Sequence, residues 1–191
     1  MTNRLTLVPA RSADRFGLAF WELTVDGRPL RELVEFTDPE DRRLDVAGLG
    51  PAGENVPVLV HNWPTAGVDG ALELAGERVP QLTSGRVLLY VCPACGDVGC
   101  GAVSAVMDRS EQTVVWRDFG WDVGWEDGED DIRFAGGPFV FDRGQYDAEL
   151  RRFVDTYAAV RASVPALTPL VEAHPRGRRR WWRRSGPPAG E

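Results

Sequence analysis

The chain has 191 residues and a formal net charge of −7, and its 22 basic residues are all arginine. That length suits one domain with a proper core and is slightly short for two. No apolar run approaches the ~18 residues of a membrane helix, and Met1 to Gly17 lacks the apolar centre of a signal peptide, so no membrane span is expected and the expected compartment is the cytoplasm.

Leu5 to Val8 is a short strand ended by Pro9, and Leu18 to Val25, rich in aromatic and branched residues, is a second. Asp26-Gly27 after it is a tight-turn signal. Pro29 to Val34 fits either a single helical turn or a return strand at a sheet edge. Thr37 to Glu54 is polar and broken by proline and glycine, as in an exposed connection. Gly48 to Gly53 spells the dinucleotide pattern GxGxxG, but Asn55 to Val60 reads as a strand, so no helix opens on it and the pattern is a glycine-rich loop.

Val56 to Val60 leads into His61, and a strand is expected at Ala71 to Leu74. Arg86 to Val91 is the most apolar strand and delivers Cys92. Ala102 to Met107 leaves the intervening loop and Thr113 to Phe119 returns beside it, giving a three-stranded antiparallel meander with the loop at a hairpin tip. Asp118-Phe119-Gly120 copies a kinase tripeptide by chance, because a chain without lysine cannot supply the other parts of that machinery. Ile132 to Phe134 and Phe139 to Phe141 read as a last strand pair around Gly136-Gly137-Pro138. Tyr146, Leu150, Phe153, Val154, Tyr157 and Val160 then recur at helical spacing, with Asp142 as the cap, Gln145 three residues on, and Val164-Pro165 as the stop. The fold class is α+β, a mainly antiparallel sheet with a C-terminal amphipathic helix on one face. Residues 1–174 form the expected globular domain. Residues 175–191 form an expected disordered Arg/Trp tail with six arginines against one acid, which leaves 16 arginines and 28 acids, a net −12, in front of it. Such a body repels nucleic acid.

All three cysteines lie in CPACGDVGCG, Cys92 to Gly101. Cys92-Pro93-Ala94-Cys95-Gly96 is the turn of a zinc knuckle: two thiolates curl round one ion while glycine lets the backbone fold back with its amides towards the sulfurs. Cys100 supplies a third sulfur. Tetrahedral zinc needs a fourth ligand, for which His61 is the first choice and Asp97 or a water the alternatives. With His61 the site is a closed structural one; with water it keeps a position open for Lewis-acid chemistry. The same thiols read as a thiol-disulfide oxidoreductase use Cys92 and Cys95 as the CxxC pair with Cys100 resolving, although Gly99, Gly101 and Val103 argue for strand rather than the helix such motifs open. Read as ordinary reduced cysteines, they leave a scaffold that binds a protein partner through Trp121, Trp125, Asp97, Asp118 and the acidic run ending at Asp131.

The segment Val87 to Trp121, with its strand, CPxCGDxGCG loop and later WxDFG stretch, resembles a family of uncharacterised bacterial proteins, mainly actinobacterial. The resemblance implies no activity and no site residue beyond the loop itself. The leading expectation is therefore a zinc-binding module in which the metal is a structural staple.

Overall fold

The computed structural model describes residues 1–12, 17–38, 40, 48–63, 68–123 and 132–165. The expected tail at 175–191 and Trp125 with the acidic run 126–131 lie outside them. Among the described residues ten strands and two α-helices follow in the order β1 (Leu5–Arg11), β2 (Ala19–Val25), β3 (Arg28–Pro29), β4 (Glu35–Phe36), β5 (Val56–Pro57), α1 (Asp69–Leu74), β6 (Val87–Val91), β7 (Ala102–Arg109), β8 (Thr113–Asp122), β9 (Phe134–Ala135), β10 (Phe139–Asp142) and α2 (Arg143–Ser163). The sheets are β1-β2-β3, β10-β8-β7-β6-β5 and β4-β9, and every strand pair in them is antiparallel. The α+β class expected from the sequence is the observed one.

The meander β6-β7-β8 stands as expected. Asp26 and Gly27 both have positive φ, 53° and 81°, which the turn between β2 and β3 needs to match strand twist. Three expectations are corrected. Ala71 to Leu74 lies in helix α1, whose Ala-Leu-Glu-Leu run is a string of good helix formers and buries Ala71, Glu73 and Leu74. The strand expected at Val56 to Val60 divides after Pro57. Val56 and Pro57 pair with β6, while Leu59 O accepts from Trp21 N at 3.0 Å and His61 N donates to Ala19 O at 2.8 Å, so this segment stitches the five-stranded sheet to β2. Finally, the two stretches around Gly136-Gly137 do not pair with each other: β9 joins β4 and β10 joins β8.

Helix α2 begins as its cap predicts, with Asp142 Oδ1 accepting from Gln145 N at 2.9 Å. Tyr146, Leu150 and Phe153 are buried, and Val154 and Tyr157 pack on the same core. The helix also closes the outer edge of β1. Gln145 receives Leu5 N–H and donates to Leu5 O at 3.1 and 2.6 Å, Glu149 receives Leu7 N–H at 3.2 Å, and Arg152 donates to Leu7 O at 2.6 Å. Side chains at i, i+4 and i+7 thus stand in for a neighbouring strand. Beside the main core a second cluster gathers Leu18, Phe20, Val60, Trp63, Leu88 and Ala102, with Val98 of the cysteine loop packed against it. Among the described residues no helix is long and apolar enough to cross a membrane.

Candidate metal centre

Strand β6 ends at Val91 and β7 starts at Ala102, so the cysteine loop closes their hairpin. Gly96, at φ +67°, turns the chain back and its N–H donates to Cys92 O at 2.9 Å. The next amide, Asp97 N–H, points at Cys95 Sγ at 3.4 Å, the amide-to-sulfur contact expected of a knuckle. Asp97 Oδ1 then accepts from Gly99 N at 2.7 Å and opens a 3-10 turn, Val98–Cys100, that returns the third thiol.

The three sulfurs lie within 4.8 Å of one another, and Cys95 and Cys100 are 3.4 Å apart. Thiolates on a tetrahedral zinc stand roughly 3.8 Å apart, given Zn–S bonds near 2.3 Å, so these positions bracket the required spacing. None of the three forms a disulfide. Burial pushes the Cys95 thiol up to about 12 and raises Cys100 as well; Cys92 adds to both shifts, while the contact between Cys95 and Cys100 raises the first and lowers the second. Thiols of this kind stay protonated near neutral pH until a cation displaces the proton.

The close-set group consists of the three sulfurs alone among the described residues, and His61 is not part of it. The His61 side chain is fully buried in an aromatic box, stacked on Tyr157 at 5.3 Å with Phe153 at 4.7 Å and Trp21 at 5.7 Å. Asp97 is engaged as the cap of the 3-10 turn. Trp121 supports the base of the loop: a Cβ on Gly101, at φ +92°, would fall 2.1 Å from its indole, so the glycine is required by both conformation and space. Asp118 sits at φ 52° with its carboxylate on Arg117 and its carbonyl accepting from Arg86.

Sequence reasoning passed over two supports of the loop. Trp63 lies flat enough to the turn that a Cβ on Gly96 would meet its ring at 3.2 Å. Behind the loop's exit strand, buried Arg86 donates through Nε to Ser104 Oγ at 2.8 Å and to Asp122 Oδ2 at 3.0 Å, while Ser104 Oγ bonds Asp122. This network sits where the pairing of β7 with β8 shifts register, between Ser104 and Val106. An arginine heading the most apolar strand in the chain was its one visible signal. No protein-family description, curated protein or solved structure matches the chain.

Proposed function

We propose that the protein is a binding or interaction module whose cysteine loop holds one zinc ion through Cys92, Cys95 and Cys100 as a structural staple. The observation that carries this reading is the convergence of the three sulfurs within 4.8 Å, with a backbone amide already directed at Cys95 Sγ. Zinc suits three thiolates, and bound there it ties the β6–β7 hairpin at its tip. Cys95 and Cys100 are exposed, so the fourth position opens outward, towards water or a protein partner's side chain. The resemblance of residues 87–121 to the actinobacterial group fits this reading without adding an activity, and a cytoplasmic location, where thiols stay reduced, accords with it.

Metal analysis by mass spectrometry on untagged protein purified without chelator tests it. One equivalent of zinc is expected, lost in Cys95→Ala together with a fall in Tm; unchanged zinc in that variant would sink the assignment. The 3.4 Å approach of Cys95 to Cys100 favours one second reading, in which these two, rather than Cys92 and Cys95, exchange with a partner's disulfide: one S–S bond forms here, two protons leave, and the partner takes the two electrons. Against it, a thiol pushed up to about 12 is a poor nucleophile near neutral pH. Metal-free protein showing two thiols masked until reductant is added would bring the exchange reading to the front.

A further inference from the structure

A cleft of about 350 Å³ opens between the end of β1, the start of β2 and the last turn of α2. Its apolar walls include Phe20, Trp21, Val160 and Val164, and its polar members include Arg11 and His61. The volume falls within the range of small-molecule sites, which combine apolar walls with a few placed polar groups.

His61 is the anomaly. Its side chain is fully buried, yet neither Nδ1 nor Nε2 has a hydrogen-bond partner. A neutral imidazole offers one donor and one acceptor, and leaving both unmet inside a protein is costly enough that such groups are rare and call for an explanation. The ring's neighbours present mainly aromatic surfaces, Tyr157 stacked and Phe153 and Trp21 tilted, and the one polar group that acts on it is the Ala19 carbonyl, which already accepts from His61 N and meets neither ring nitrogen in hydrogen-bond geometry. The Tyr157 hydroxyl is spent on the His61 carbonyl at 3.2 Å, as is Arg161 at 3.1 Å.

Among the described residues that line the cleft, Arg11 is the one charged group. Arg11 is exposed, lines the cleft and has no ion-pair or side-chain hydrogen-bond partner among the described residues. Arg161 reaches the carbonyls of His61 and Trp63, and Arg152 lies 4.3 Å over the Trp21 ring. Three arginines concentrate here on a body that is acidic in sum, and the Arg152 charge is offset by Glu149 while Arg11 has no ion pair among the described residues. A guanidinium with a free fork recognises a carboxylate, and the imidazole N–H gives a second donor deeper in. From these groups we infer that the cleft is a binding site for a small organic carboxylate with a flat apolar body, which lies against Trp21 and Phe20, pairs with Arg11 and satisfies the buried ring of His61. The site is independent of the zinc reading.

The test uses 2-naphthoate and its uncharged counterpart 2-naphthamide, followed by the ring nitrogen resonances of His61 in the full-length protein, with His174→Gln to assign them. Naphthoate is expected to shift the His61 ring saturably. Arg11→Ala, which removes an exposed side chain, is expected to weaken naphthoate about tenfold, the worth of one charge-assisted hydrogen bond, and to leave naphthamide unchanged. His61→Phe keeps an aromatic ring in the box, and loss of binding of both probes in that variant, followed by quenching of tryptophan fluorescence with Trp21 in the cleft wall and with the fold checked by circular dichroism, supports the assignment. The inference is overturned if neither probe shifts the ring at millimolar concentration, if Arg11→Ala binds naphthoate as the parent does, or if the ring nitrogens prove to be bonded by a buried water that no probe displaces.

Discussion

At Gly101 two demands meet in one atom that is not there. The residue follows Cys100, takes φ +92°, and leaves the room that the Trp121 indole fills. Gly101→Ala therefore adds backbone strain to overpacking, and about 2–4 kcal/mol of destabilisation is expected from urea unfolding. Repeating the substitution on a Trp121→Ala background should recover the packing share and leave the conformational share, so the two costs separate in a double-mutant cycle. His61 makes the second residue-scale prediction. Burial lowers its pKa, with Trp21, Phe153 and Tyr157 about the ring and Arg161 at its carbonyl. Well above the ordinary histidine value of about 6.5 the ring is neutral in both folded and unfolded chains and adds no pH dependence. As pH falls below that value the unfolded chain takes the proton first, so stability drops until the lowered folded pKa is reached. Urea midpoints between pH 5 and 7.5 should show this step in the parent and lose it in His61→Phe. The thiols themselves were legible, because spacing and glycine content alone fix how such a loop can turn. The role of His61 was not: a sequence displays which side chains can ligate, while the aromatic box that encloses this one is assembled from β2 and α2, far apart in the chain.

Helix α2 shows what periodicity conveys and what it omits. Its apolar stripe and its cap at Asp142 were readable, since both are local. That Gln145, Glu149 and Arg152 complete the edge of β1 was not, because the pattern of polar residues on a helix is silent about an unpaired strand beside it. Gln145→Ala should strand both backbone groups of Leu5 and cost about 1–3 kcal/mol, several times what an exposed helix position would. Amide exchange at Leu5 is the direct readout and should accelerate while the protection of Leu150 and Phe153, deeper on the helix, changes only with global stability. The misread elements share a cause. Ala71 to Leu74 is too short for its period to decide between strand and helix, and tertiary burial decided it. The stretches flanking Gly136-Gly137 read as partners because they are neighbours in sequence, whereas each pairs with an earlier strand.

For the whole molecule, the distribution of apolar burial predicts how the metal couples to stability. The main core is built from β1, β2, β6, β7, β8 and both helices, and none of its buried members belongs to the loop from Cys92 to Gly101. The smaller cluster does border the loop, through Val98, through Ala102 immediately after it, and through Trp63, whose ring lies against Gly96. Zinc removal should therefore loosen this cluster first. In hydrogen exchange with and without a strong chelator, amides of residues 92–101 and of Val91 and Ala102 are expected to gain exchange by opening locally, whereas those of Tyr146 to Phe153 keep their rates until the whole chain unfolds. Uniform acceleration across both clusters would mean that the ion holds the entire fold, as in the smallest zinc domains; no acceleration anywhere would remove the staple from the structure's stability altogether. The local outcome is favoured because a domain with this much buried apolar surface does not need a metal to fold, while a glycine-rich loop with exposed thiols has little else to fix its shape.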